Sequence, residues 1–311
     1  MAKPSSPVAL VVGASRGIGR QIAIDLARHG YRVVVAAKTV SDATKQATPF
    51  PPDPNSNEST ITTVVREIKE AGGEAVAFQV DTRDPESVRN MVDFTSKHYG
   101  SLDVIIYNSG AVWWSSVEKT SMKRFKLLQD VNINGLYATI QAAMPHWQQN
   151  EWKGRIIVVS PPIYSRFFRG KTAYAAVKVG MSVLTKGLAM DWKREGKSNM
   201  AISSIWPAVG IQSAATPDAR LLPDLRKATI FSDAILEMLR APADEINGRL
   251  EVDEDFLRTR GVQDFSKYSV VPGSTPRRML PVQFPDLRVA EEEDEGMLMD
   301  STDARHRKHK L

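Results

Sequence analysis

The chain has no cysteine and only five histidines, His29, His98, His146, His306 and His309. Without cysteine there is no disulfide framework, no thiolate nucleophile and no cysteine-ligated zinc or iron–sulfur site. The histidines form no HExxH or other paired spacing, so no metal site is expected. No apolar run approaches the ~20 residues of a membrane-spanning helix. The N-terminus, MAKPSSPVAL, carries too little apolar sequence for a secretory signal, and cytoplasm is the expected compartment. An excess of one charge sign is also lacking, with 41 basic residues against 36 acidic and a net charge of +5. That suits an anionic ligand such as a nucleotide phosphate and is too mild to argue for nucleic acid.

What is present is 311 residues of ordinary globular composition, enough for one large α/β domain with extensions. Val8–Val12 is apolar throughout, as expected for a strand buried on both faces of a parallel sheet. Residues 17–29 read as the following helix, stopped by Gly30. The alternation continues with strands at 32–37, 75–80, 102–107, 155–159, 201–206 and 248–253. Helices are expected at 60–71, 85–99, 122–149, 173–194 and 233–240. This pattern predicts a Rossmann-type, doubly wound parallel sheet with helices on both faces. One domain is expected over residues 1–288, with its core at 8–253 and a packed extension at 254–288. Residues 289–311 carry seven acids and four bases and read as a charged tail. Residues 39–59, with prolines at 49, 51, 52 and 54, read as a long loop.

The first strand runs into Gly13-Ala14-Ser15-Arg16-Gly17-Ile18-Gly19. Glycines there allow a tight turn and close approach of a pyrophosphate, and the next helix offers free N–H groups and its positive dipole end. An NAD-preferring site carries an acid at the end of the second strand, to hold the ribose 2′-hydroxyl. Here that strand ends in Ala36-Ala37-Lys38. Lys38, helped by Arg16, can pair instead with a 2′-phosphate, so NADP(H) is the expected cofactor. Asp81, after the third strand, is positioned to accept from the adenine amino group. Asn108-Ser109-Gly110, after the fourth, should border the cofactor.

Tyr174 and Lys178 lie four residues apart on one face of a helix. A phenol has a pKa near ~10, and a neighbouring ammonium lowers it toward useful acid–base strength. Chance alone supplies roughly 0.4 such pairs from 7 tyrosines and 18 lysines, so the weight comes from their position after a fifth strand. Ser160 ends that strand and is suited to polarise a carbonyl. Asn132 or Asn134, in the long helical region, is suited to hold a water linking Lys178 to solvent.

Gly13-xxx-Gly17-x-Gly19, Asn108-Ser109-Gly110, Asn132-xx-Gly135, Ser160 and Tyr174-xxx-Lys178 stand in the order of the short-chain dehydrogenase/reductase family, which the chain resembles from about Val8 to Asp253. The resemblance implies a sheet of about seven strands and an Asn132–Ser160–Tyr174–Lys178 tetrad. Tyr174 is then the proton donor or acceptor, and Lys178 lowers its pKa and holds the nicotinamide ribose. Pro207 and Ser213 are implied at the nicotinamide end. Departures stand beside the match. Val12 replaces a threonine, and Tyr107 and Ser109 replace an asparagine and an alanine. Ala208 replaces a glycine, and Pro161 takes the usual position of the serine. A narrower likeness, in Ala36–Thr39, Ser160-Pro161-Pro162 and Trp206-Pro207, is to a hydroxysteroid dehydrogenase-like branch linked to peroxisomes and lipid metabolism. Longer members of that branch add a sterol-carrier domain, which is not expected here.

Trp113, Trp114, Tyr164, Phe167 and Phe168 are expected near the nicotinamide and suit an apolar carbonyl or alcohol. Arg166, Arg169 and Lys171 suit the phosphates of an acyl-CoA. The resulting expectation is an NADP(H)-dependent oxidoreductase acting on an alcohol or ketone, and a homo-oligomer. Two other classes stay open: a nucleotide-binding sensor with little catalysis, and an enoyl-thioester reductase. The final His309-Lys310-Leu311 approximates a peroxisomal address.

Overall fold

The computed structural model describes residues 6–45, 50–216 and 218–287. The tail at 289–311 and the His309-Lys310-Leu311 terminus therefore lie outside the described residues. Met1–Pro281 forms one compact unit and Val282–Leu311 a second.

In the first unit, β1 (Val8–Val12), α1 (Gly17–Arg28), β2 (Arg32–Ala37), α2 (Ile61–Glu70), β3 (Glu74–Gln79) and α3 (Pro85–Tyr99) alternate as expected. β4 (Val104–Tyr107), α4 (Met122–Gln129), α5 (Gly135–Gln149), β5 (Gly154–Val159), α6 (Thr172–Arg194) and β6 (Met200–Trp206) follow. The chain continues through β7 (Gly210–Ile211), β8 (Leu225–Arg226), α7 (Thr229–Arg240), α8 (Ala243–Ile246), β9 (Leu250–Val252) and α9 (Asp253–Thr259). Seven strands form one parallel sheet in the order β3-β2-β1-β4-β5-β6-β9, and β7 and β8 pair separately. The order reverses between β1 and β4, the place where a doubly wound sheet opens a crevice for a ligand.

β1 shows why both sheet faces are buried. Ala9 and Val11 pack into one core with Ile22 and Leu26 of α1 and Phe231 of α7. Leu10 and Val12 point the other way, toward Met91 of α3, Leu136 of α5 and Trp192 of α6. Residues alternate faces along a strand, so an uninterrupted apolar run serves two cores at once. In the extension, Phe256, Phe265 and Tyr268 are buried in the α7 core.

The long helix expected at 122–149 is divided. Asp130–Asn134 is a π-turn between α4 and α5. The buried Tyr107 hydroxyl donates to the Val131 carbonyl (2.7 Å), inside that turn. Gly135 lets the start of α5 approach Thr82, whose carbonyl would lie 2.8 Å from an added Cβ. A wide turn of this kind inside a helix commonly marks a functional site.

Candidate active site

The glycine turn is built by β1, β2 and β4 together. Gly13 and Ala14 donate to the Ala36 carbonyl at 2.7 and 3.1 Å, and Asn108 Nδ2 donates to the Gly13 carbonyl at 2.9 Å. Gly13 has φ +85°, and a Cβ there would meet the Ser109 backbone nitrogen at 2.6 Å. A side chain on Gly19 would strike the Gly13 carbonyl and the Asn108 amide. Both glycines are therefore required for the turn to close on β4. α1 starts without a side-chain cap or an acid in its first turn. α2 and α3 are capped by Thr60 and Asp84. Uncapped N–H groups at the end of a glycine turn fit a bound pyrophosphate.

Part of the proline-rich loop lies on this turn. Gly17 N–H donates to the Pro54 carbonyl (2.8 Å), Ser59 Oγ donates to the Ser15 carbonyl (2.7 Å), and Arg16 bonds the Asn57 side chain. Arg16 thus reaches Asn57, whereas Lys38 reaches Asp81 Oδ2 at 3.0 Å. Ile18, Asn108, Gly110, Pro207 and Ser213 line a cleft of about 590 Å³ together with Tyr174 and Lys178. Thr216 also lines it, three residues beyond Ser213. Its Oγ1 accepts from Ser213 N–H and donates to the Ile211 carbonyl, both at 2.9 Å.

α6 carries Tyr174, Lys178 and Ser182 at successive four-residue steps, so one helix face presents all three. Lys178 is buried, and its Nζ donates to the Val159 carbonyl at 2.9 Å. Burial drives its pKa down from the usual lysine value to about 7. Tyr174 is also buried, and burial pushes its phenol above the usual value. Desolvation sets that direction.

Asn132 sits in the π-turn, fully buried, with Nδ2 donating to the Leu128 and Ala111 carbonyls at 2.8 and 3.2 Å. Its Oδ1 has no protein partner among the described residues. Asn134 is exposed and bonds Asp130, on the outer side of the same turn. Gly110 separates Asn132 from Lys178. A Cβ there would stand 3.1 Å from Asn132 Oδ1 and 3.3 Å from Lys178 Nζ. Gly110→Ala is accordingly expected to cut kcat roughly tenfold with the melting temperature little changed, because a small displacement of reacting groups is costly. Steady-state kinetics beside a thermal melt checks this.

Ser160 is not brought into the cleft. It is fully buried, 2.9 Å from the Ser182 hydroxyl, which donates to the Pro161 carbonyl at 2.6 Å. The Tyr174–Lys178–Ser182 spacing was the available signal for this contact. Asp253, also buried, had no such signal. Its Oδ1 accepts from Ala208 N–H (2.8 Å) and Glu254 N–H (2.7 Å), anchoring the turn beside Pro207. Burial raises its pKa from the usual carboxylate value to about 7.

The cleft wall is aromatic. The Trp114 and Phe167 ring centroids lie 6.3 and 6.2 Å from that of Tyr174, and Trp206 meets Phe167 edge-on at 5.7 Å. Lys171 Nζ sits 4.4 Å from the centre of the Phe167 ring, and Arg166 and Arg169 also line the cleft. Among the described residues no group of His, Asp or Glu is arranged to hold a metal ion, and no helix is long and apolar enough to cross a membrane.

Comparison with known proteins agrees with this geometry. The family model for short chain dehydrogenases matches residues 7–51 and 54–217. Hydroxysteroid dehydrogenase-like protein 2 of Danio rerio is 33% identical over 268 residues, covering 85% of this chain and 60% of that protein. The chain thus spans about 60% of the length of that curated relative. A solved dehydrogenase from Xanthomonas campestris superposes with a TM-score of 0.77 at 32% identity, covering 90% of this chain and 99% of its own. A short chain dehydrogenase from Mycobacterium thermoresistibile gives 0.76 at 31%, covering 90% and 96%. Sheet order, motif order and these similarities converge: the chain belongs to the short-chain dehydrogenase/reductase family, oxidoreductases that bind a nicotinamide cofactor.

Proposed function

We propose that the chain is an NADP(H)-dependent oxidoreductase acting on a secondary alcohol or ketone of an apolar, lipid-like or acyl-thioester substrate. The observation that carries this is the placement of Tyr174 and Lys178 on the wall shared by the glycine turn and the aromatic cleft. A bound nicotinamide supplies or accepts the hydride. Ser15, Ile18 and Gly19 hold the pyrophosphate side through backbone N–H groups, while Gly13 and Gly17, whose own N–H groups bond Ala36 and Pro54, shape the turn. Asn108, Gly110, Pro207 and Ser213 border the nicotinamide side.

Tyr174 gives its proton to the carbonyl oxygen as the hydride reaches carbon, and takes one back in the reverse direction. A phenol held neutral by burial is in the correct state for reduction. Lys178 stabilises the phenolate that remains, and Asn132 Oδ1, beside Gly110 and Lys178, is placed to hold a water that returns the proton. Phe167 and Trp206, with the more exposed Trp114, give the cleft an apolar wall that favours an apolar chain. The cleft volume lies within the range of small-molecule sites. Arg166, Arg169 and Lys171 are suited to the phosphates of a thioester carrier.

The cofactor choice rests on Lys38 at the end of β2, where no acid stands. Lys38→Ala is expected to weaken NADPH about tenfold, ~1.4 kcal/mol, and to change NADH little. Titration of both cofactors against the variant checks it, and equal effects on the two would remove the 2′-phosphate assignment.

One observation favours a second reading, an NADP(H)-binding sensor with little turnover. Ser160 is buried away from the cleft and Pro161 stands where the family's serine usually lies, so carbonyl polarisation falls on Tyr174 alone.

A further inference from the structure

At the carboxyl ends of β2 and β3 lies a second cavity, of about 250 Å³. Ala37, Lys38, Asp81, Arg83, Ser109 and Leu127 are among the residues lining it. It opens on the side of the sheet where a nucleotide binds in a doubly wound fold. The Asp81 carboxylate is the centre of a three-charge cluster. Arg83 grips it as a fork, Nε to Oδ1 at 2.8 Å and Nη2 to Oδ2 at 2.5 Å, and the Arg83 backbone N–H adds a contact to Oδ1 at 3.2 Å. Lys38 Nζ shares Oδ2 at 3.0 Å.

A carboxylate offers about four lone-pair sites. All four are taken by Lys38 and Arg83, so Asp81 has no site left for an adenine amino group or a ribose 2′-hydroxyl. The cations keep donors in reserve. A guanidinium has five N–H groups and Arg83 commits two of them here. An ammonium has three and Lys38 commits one. Asp81 is held well below the usual carboxylate range by these bonds and stays ionised, so the cluster carries one net positive charge. The other acid acting on Arg83 is Asp130 of the π-turn.

We propose that Arg83 is a second, specificity-determining cation of the cofactor site. It would grip the 2′-phosphate together with Lys38, while Asp81 serves as the counter-ion that holds both heads over the cavity. This rests on the NADP(H) reading above and extends it. Discrimination then has two parts. A phosphomonoester gains two cations, and a bare 2′-hydroxyl finds its natural acceptor already filled.

The test is binding to the full chain, followed by isothermal titration without turnover, of NADPH, NADH, 2′,5′-ADP and 5′-AMP. Arg83→Ala is expected to weaken NADPH and 2′,5′-ADP about tenfold or more. NADH and 5′-AMP should bind as before or more tightly, because the change frees Asp81. Arg83→Lys, which keeps the charge and loses the fork, should fall between. The Arg83 side chain is 41% exposed, so neither of its variants threatens the fold, and a thermal melt records that. If Lys38→Ala lowers the NADPH preference and Arg83→Ala does not, the role of Arg83 is overturned and the NADP(H) reading stands. If neither substitution moves the preference, or the unaltered protein prefers NADH, the NADP(H) reading fails and this inference fails with it.

Discussion

Tyr174→Phe is expected to lower turnover roughly 10²- to 10⁴-fold while cofactor affinity changes less than about twofold, the range for removal of a positioned acid–base group. The substitution removes one oxygen and keeps the ring. That ring packs against Trp114 and Phe167, so the cleft keeps its shape. The effect is expected to be large because no second acid stands ready. Ser160 is buried against Ser182, and Lys178 donates to the Val159 carbonyl. With cofactor binding unchanged, the loss should appear in kcat and not in cofactor KM. Stopped-flow measurement of cofactor oxidation, beside a binding titration, checks both halves.

Lys178→Met is expected to cut turnover about 10²-fold or more and also to change how stability depends on pH. Met matches the length of the lysine stem but carries no ammonium. Burial lowers the folded-state pKa of Lys178 from 10.5 to about 7. Between these values the unfolded chain binds more protons at this site than the folded one, so the contribution of Lys178 makes stability rise with pH. Below pH 7 both states are protonated and the full cost of the buried ammonium is present. The variant lacks that cost. Its gain in melting temperature over the unaltered protein should be greatest at pH 6 and should shrink steadily as pH rises toward 10. A difference that does not vary with pH would show that the ammonium is not desolvated in the folded protein.

Much of this architecture is legible in the residues because the signals are local. Val8–Val12 is apolar without interruption, as a strand covered on both faces requires. The glycine turn is readable because Gly13 and Gly19 leave no room for a side chain. The Tyr174–Lys178 step is readable because helical spacing alone puts both on one face. What is not legible depends on partners far along the chain. The π-turn at Asp130–Asn134 is supported by Tyr107, more than twenty residues earlier, and a window of sequence shows only continuous helix there. Ser160 ends its strand as expected, yet the direction its hydroxyl faces is set by Ser182 on α6. Asp81 follows β3 as expected, yet its bonding capacity is consumed by Arg83 and by Lys38, which comes from a different strand. The proline-rich stretch reads only as a long loop, whereas Pro54, Asn57 and Ser59 are tied to the glycine turn by tertiary hydrogen bonds.

Burial also reverses an electrostatic expectation. Placing an ammonium near a phenol suggests a lowered tyrosine pKa, but both groups lie in a dry wall where the desolvation cost dominates. The pair is therefore poised with a neutral tyrosine and a lysine that titrates near neutrality.

The most direct measurement is NADPH oxidation by the full chain against a panel of apolar ketones, 3-oxoacyl thioesters and enoyl thioesters. Turnover on a ketone or 3-oxoacyl thioester that disappears in Tyr174→Phe is the predicted result. Activity confined to enoyl thioesters would contradict the carbonyl chemistry. Tight NADPH binding with no turnover on any member of the panel would contradict the catalytic claim and favour the sensor.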